Sequence, residues 1–366
     1  MNDRLYWLGW QVLMPGSGRR LWSLIEHFGS PEEAWKAPLK DLEGALRLDG
    51  ERAADLARRR AAVDPVEFAA GLEKTGITFI CYNEPGYPAN LSFIYDPPAV
   101  LFARGSLKPD GLALAVVGSR KPTPYGRLVA EKIASDLAAA GVTVVSGAAR
   151  GIDTAAHKGA LAAGGRTVAV LGCGPDVVYP RENSRLLDQI AASGAILSEF
   201  PPGVQPEAWH FPTRNRIISG MAKGVLVVEA AEKSGALITA DFALDQGRDV
   251  MAVPGNVTSP VSRGANRLIK QGAKLVEGAE DIFEEFGLDS LFPKTEGCEQ
   301  VPVKLSDEEK QIYHLLSVEP VHLDELISRT GLSAGTAQAA LMFLLTKGLA
   351  VKSAGDKYTC SGRKLF

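Results

Sequence analysis

The sequence is poor in the residues that staple or metallate a small fold. Its 366 residues include four cysteines, Cys81, Cys173, Cys298 and Cys360, far apart and with no C-x-x-C pair. That argues against a zinc ribbon or a disulfide framework and suits a reducing cytosol. The five histidines show no metal-ligand spacing, so no metal or other cofactor is expected. No apolar run is long enough to span a bilayer. The opening MNDRLYWLGWQVLMPGSGRR has Asp3 and Arg4 ahead of a short apolar stretch, not the basic start and cleavage site of a signal peptide. It reads as a first core helix of a cytoplasmic protein with no membrane contact. The sequence also lacks G-x-x-x-x-G-K-[ST] and H-E-x-x-H, and Gly172-x-Gly174 has Val177 where a dinucleotide fingerprint needs its third glycine. A surplus of positive charge is missing too. At net −3, a nucleic-acid binder must gather its cations locally, because no global field attracts the ligand.

What is present divides into regions. Residues 1–66 read as short helices, with Ser30 as N-cap and Pro31 at the first helical position of SPEEAWKA. The turn Gly16-Ser17-Gly18 resembles those of helix-hairpin-helix DNA-binding modules, and a small packing or interaction domain fits equally well. Residues 67–290 alternate strand and helix. Short apolar runs at 112–118, 142–147, 167–172, 195–200, 225–230, 249–255 and 273–278 are separated by helical stretches. Continuous Val/Ala/Ile runs of this kind predict a doubly wound parallel sheet, buried on both faces. Two more strand candidates, 78–82 and 99–105, flank a Pro-rich loop or edge extension. Residues 291–304 have linker composition. Residues 305–366 give three helices and a hairpin, the order of a winged helix-turn-helix.

In a doubly wound sheet, ligands collect beyond the carboxyl ends of the strands. Those ends carry Gly118-Ser119-Arg120, then Ser146-Gly147-Ala148-Ala149-Arg150, then Tyr179-Pro180-Arg181, then Phe211-Pro212-Thr213-Arg214-Asn215-Arg216. Four successive ends thus bring arginine to one rim, which reads as a phosphate-binding rim. Gly147 and Gly151 let the backbone turn and approach a ligand. The helix after them aims its free N–H groups at the same spot, with Lys158 one or two turns along it. Asp153 is expected to cap that helix, and His157 to be a half-buried, locally bonded histidine instead of an acid–base partner. The Phe211–Arg216 segment reads as a loop suited to single strands, arginine for backbone and ring for bases. A core Phe ahead of a helix-starting Pro fits it as well.

The runs VVGSRKPTPYG, VVSGAARGIDTAAHKGAL, LGCGPDVVYPRENS and HFPTRNRIISGMAKGVLVVEAAEKSGALITA resemble the DNA-processing protein A family (DprA, also called Smf). The resemblance spans the whole alternating region. It implies an extended Rossmann-like sheet, with the helical N-terminus and the winged helix as accessory domains. It also implies a homodimer that binds single-stranded DNA and loads the RecA recombinase in natural transformation, without catalysis. Carried over, the DNA contacts fall on Arg120 of the GSR motif, Ser146, Gly147 and Arg150, Arg181, and Phe211, Arg214 and Asn215. Several relatives place a lysine shortly before HFP, where this chain has Glu207-Ala208. The winged helix holds seven acids and seven bases after Leu305, and its second helix-turn-helix segment, SAGTAQAALMFLLTK, begins without a cation. Protein contact fits it better than base reading. Two other readings stay open. One is a nucleotide hydrolase akin to phosphoribohydrolases, although Glu229–Thr239 lacks their glycine pair. The other is a ligand-sensing transcription regulator.

Overall fold

The computed structural model describes residues 3–82, 84–108, 111–288, 305–317, 320–353 and 355–360; the expected linker at 291–304 lies outside them. Two compact units result, Met1–Pro122 with Ala130–Leu291, and Thr123–Val129 with Phe292–Phe366. The first begins with helices α1 (Asp3–Leu13), α2 (Gly18–Phe28), α3 (Pro31–Lys36), α4 (Leu39–Leu46), α5 (Gly50–Ala62) and α6 (Pro65–Lys74). The last of these crosses residue 66. Ser30 caps α3 as expected, accepting the Glu33 amide at 3.1 Å with Pro31 next in line. Asp49 and Asp64 do the same for α5 and α6. Each cap satisfies a donor that the first helical turn leaves open. The helices close around Trp10, Leu21, Leu24 and Leu42, all at most 1% exposed.

The remaining elements of this unit are β1 (Ile77–Cys81), α7 (Ala89–Ser92), β2 (Val100–Gly105), β3 (Ala113–Val117), α8 (Pro124–Ala139, of this unit from Ala130 on), β4 (Thr143–Ser146), α9 (Ile152–Ala162) and β5 (Thr167–Leu171). They continue with α10 (Ser184–Ser193), β6 (Ala195–Ser198), α11 (His210–Met221), β7 (Gly224–Val227), α12 (Gly235–Asp245), β8 (Asp249–Ala252), α13 (Arg263–Lys270), β9 (Lys274–Leu275) and α14 (Ala279–Glu285). The nine strands lie in the order β1-β2-β6-β5-β4-β3-β7-β8-β9. From β6 to β9 every pairing is parallel. The expected runs at 78–82 and 99–105 add the antiparallel margin β1-β2. Val168 and Val170 enter one core while Ala169 and Leu171 enter another, so β5 is covered on both faces. Strand order reverses between β3 and β7, and that reversal opens a crevice at their carboxyl ends.

Both margins of the sheet are closed. Along β1, Arg4 donates to the Phe79 carbonyl at 2.8 Å, Glu84 accepts the Cys81 amide at 2.8 Å, and Arg4 and Glu84 pair with each other at 2.9 Å. At the far side β9 has only two residues, and its Lys274 pairs with Glu284 and Glu285.

A buried ion cluster joins the N-terminal helices to the sheet. Arg216 of α11 donates to Glu199 at 2.8 Å and to Asp96 at 3.1 Å, with its side chain 6% exposed. Gln11 of α1 donates to the Glu199 carbonyl at 2.8 Å. This corrects the expectation for Arg216, which faces the interior and not the phosphate rim. The reason is helical geometry. At 3.6 residues per turn, Arg214 and Asn215 lie about 60° and 40° from Phe211, whereas Arg216 lies about 140° away.

The second unit is the expected winged helix. It contains α15 (Asp307–Leu315), β10 (Val321–His322), α16 (Leu323–Thr330), α17 (Ala334–Thr346), β11 (Ala350–Ser353) and β12 (Lys357–Cys360), with sheet order β10-β12-β11. Ile312, Leu326, Leu341 and Leu344 fill its core. Ser306 and Glu309 form a reciprocal cap on α15.

Removing one partner from a buried ion cluster leaves the others uncompensated in low dielectric. Arg216→Ala is therefore expected to lower stability by about 3–5 kcal/mol in urea denaturation. A loss below about 0.5 kcal/mol, typical of a surface change, would show that the cluster does not hold the joint.

Candidate nucleic-acid interface

Two depressions lie beyond the carboxyl ends of the strands and share Arg120, Ala149, Phe211 and Arg214. The larger, about 620 Å³, opens at the β3/β7 reversal, where Gly118 and Ser119 face Lys233 and Ser234. The smaller, about 30 Å³, lies toward β5 between Arg150 and Tyr179. The charged residues lining the two are Arg120, Arg150, Arg214 and Lys233 against Asp153 alone. The basic excess that the whole chain lacks is gathered here. The starts of α9 and α12 also reach the larger depression, through Asp153 on one side and Ser234, Gly235 and Ala236 on the other, and turn the positive ends of their dipoles toward it.

Local packing explains the glycines. A Cβ on Gly118 would sit 2.7 Å from Ile152 and 2.9 Å from the Glu229 carbonyl. The Ser119 amide donates to that same carbonyl at 2.7 Å, tying the two loops at the reversal. At Gly147 a Cβ would lie 2.5 Å from an Arg214 nitrogen. The space expected to admit a ligand thus admits a guanidinium. Arg214 is 4% exposed and donates to the carbonyls of Gly147 (2.8 Å) and Val170. Burial lowers its pKa to about 10, with the Asp153 charge opposing the shift. Burial likewise raises the Asp153 carboxyl, against the pull of Arg214. Arg214 therefore stays charged at neutral pH.

Several expectations are corrected in detail. The Phe211–Arg216 segment is not a loop but the start of α11, with Pro212 third in the helix, where a missing N–H costs nothing. Asp153 does not cap α9. The capping position is Gly151, and Asp153 accepts the Ala149 amide at 3.3 Å from the second helical position. Ser146 is fully buried and donates to the Val116 carbonyl at 2.6 Å, so its side chain serves the sheet. Arg150 reaches the smaller depression but forms a two-point pair with Glu182. Each of these two exposed partners shifts the other toward its charged form. Lys158 and Arg181 are exposed, and neither lines the two depressions.

The aromatic arrangement is the most distinctive feature. The Arg120 guanidinium lies 5.3 Å from the centre of the Phe211 ring, and Phe211 lies 5.4 Å from that of Tyr179. Cation and rings form a partly exposed row between the depressions. Lys233 was missed from the sequence, although it follows β7 just as Arg120 follows β3. Its signal in the sequence is the position after the β7 run and the neighbouring Ser234, which caps α12 by accepting the Ala236 amide.

A mostly parallel, doubly wound sheet with a basic cleft at its reversal defines an α/β protein. The sequence pattern of the family described as DNA recombination-mediator protein A matches residues 78–287, and the DprA winged helix domain matches 298–356. The chain belongs to the DNA recombination-mediator protein A family. It is 34% identical to Protein Smf of Synechocystis sp. over 98% of both chains. The X-ray structure of DNA processing protein A from Streptococcus pneumoniae superposes with a TM-score of 0.66 at 38% identity, covering 78% of this chain and 98% of that one. The Helicobacter pylori protein, described for its single-stranded DNA binding mode, gives 0.53 at 28% identity over 58% of this chain and 96% of that one.

His157 is fully buried instead of half-buried, and its Nδ1 lies 2.7 Å from the Thr167 hydroxyl. That hydroxyl donates to the Val144 carbonyl, so it accepts from Nδ1–H. Burial, helped by the Arg214 charge, pulls the imidazole pKa from 6.5 to about 3. Above pH 6.5 the histidine is neutral in both folded and unfolded chains and gives no pH dependence. Below it the unfolded chain takes the proton first, so stability falls as pH drops toward 3. Melting temperature should fall between pH 7 and 5, and His157→Gln should flatten that fall. Parallel curves for the two proteins would remove His157 as the cause.

Proposed function

We propose that the chain binds single-stranded DNA across the cleft. Phosphates are held by Arg120, Arg150, Arg214 and Lys233 and by the amides of Gly118 and Gly147, while the Ser119 amide keeps the loop in place through the Glu229 carbonyl. Asn215 stands beside them on the same helical face, and a base stacks on Phe211. Arg181 and Lys158 lie farther out and contribute field more than contact. The observation that carries this reading is the Arg120–Phe211–Tyr179 row set between two basic depressions. Arginine with an exposed ring is the mixture that grips an unpaired strand without reading its sequence. The Helicobacter pylori relative described for single-stranded DNA binding supports it.

In this reading the protein is a cytoplasmic homodimer that hands the strand to the RecA recombinase during DNA uptake and natural transformation. Membership of a recombination-mediator family supports that role. The role is non-catalytic, since Asp153 is engaged with a backbone amide and His157 with Thr167. The winged helix serves protein contacts. Its α17 has no charged side chain from Ala334 to Thr346 and exposes Met342 and Phe343.

Three or four neutralised phosphates at about −0.7 each give a slope of about −2 to −3 for log affinity against log salt. Titrating a labelled oligo-dT at several salt concentrations tests this, and an affinity indifferent to salt would sink the proposal. Arg120→Ala should weaken binding and make the slope shallower by about 0.7. Ala208 lines the cleft, so Ala208→Lys should tighten binding and steepen the slope by a similar amount, read in the same titration.

A further inference from the structure

Among the described residues of the first unit, three large rings outside the cleft stand in water. Trp209 is 50% exposed, Tyr95 78% and Phe93 83%. They are not scattered. Trp209 sits between Ala208 and Phe211, which line the cleft, and its ring packs on the Gly16 turn, where a Cβ would lie 3.1 Å away. Two residues on, Gly18 abuts Asp96. The next residue, Arg19, lays its guanidinium 4.5 Å from the centre of the Tyr95 ring. The turn Gly16-Ser17-Gly18-Arg19 therefore bridges Trp209 to Tyr95 within one compact unit. Between Phe93 and Tyr95, Ile94 is buried against the Gly220 position of α11, so both rings project from an anchored segment.

We propose that Trp209, Arg19, Tyr95 and Phe93 form a stacking track that carries a DNA strand out of the cleft and across the N-terminal helices. The proposal rests on the single-strand reading above. Its chemistry repeats that of the cleft, with Arg19 on Tyr95 matching Arg120 on Phe211. Bases stack on the open ring faces, and the guanidinium meets the phosphate between them. Two acids along the way are engaged, Asp96 by Arg216 and Glu207 by the Trp209 indole N–H at 2.7 Å. The glycine-containing turn singled out in the sequence thus acquires a role as the bridge between two platforms.

The test compares a short and a long labelled oligo-dT, about 6 and about 20 nucleotides, spanning the usual range of single-strand site sizes. Full-length wild type, Tyr95→Ser, Tyr95→Phe and Arg120→Ala are measured at one salt concentration. Tyr95→Ser is expected to weaken the long strand at least about fivefold, the low end for losing one stacked ring, and to leave the short strand unchanged. Tyr95→Phe keeps the ring and should retain wild-type affinity for both. Wild-type affinity of Tyr95→Ser for the long strand overturns the track and leaves the patch to a protein partner. Equal loss on both lengths also overturns it. If Arg120→Ala weakens neither oligonucleotide, the cleft reading fails by itself, whatever the Tyr95 variants show.

Discussion

The arrangement turns on one buried guanidinium. A charge taken out of water is costly unless its hydrogen bonds are replaced, and Arg214 replaces them with the carbonyls of Gly147 and Val170. That choice pins the start of α11 against the ends of β4 and β5. It requires glycine at 147, because a side chain there would occupy the guanidinium's place. It sets Phe211 and Asn215 on the cleft side of the helix, and it keeps the Asp153 carboxylate from being the only charge in that corner. The cation is both part of the cleft lining and the peg that shapes it.

Charge in this molecule is arranged, not abundant. Arg216 is spent inward on Glu199 and Asp96, and Arg150 is shared with Glu182. Only part of the rim is therefore free to meet a ligand at no cost. Arg150 and Glu182 pair in water, where screening leaves such a contact weak, so in the proposed reading a phosphate would replace Glu182 there. The buried cluster gives way only with the fold. The same residue type thus works as surface contact, structural peg and tie-beam according to how deep it sits.

How much of this was legible in the sequence follows from the range over which each feature is decided. The seven parallel strands, the Ser30 cap and the winged helix are written in local pattern, and the strand ends point to Arg120, Arg150 and Arg214, which line the two depressions. What escaped depends on distant partners. Arg216 needs Asp96, 120 residues away, to explain its burial. Ser146 looks like a ligand-facing hydroxyl until the neighbouring strand supplies the Val116 carbonyl. Proline and polar residues made Phe211–Arg216 resemble a loop, although a first helical turn tolerates both. Lys233 was within reach of the same rule, had it been applied to β7.

The ion pair on β1 and the stub of β9 have a consequence for self-association. An open sheet invites another copy to dock strand against strand, the route to filaments and aggregates. Here the outer backbone groups at Phe79 and Cys81 are already occupied by Arg4 and Glu84, and the opposite border is too short to template anything. Docking of one copy on another strand against strand is thereby disfavoured, and the sheet is protected from polymerising through its edges.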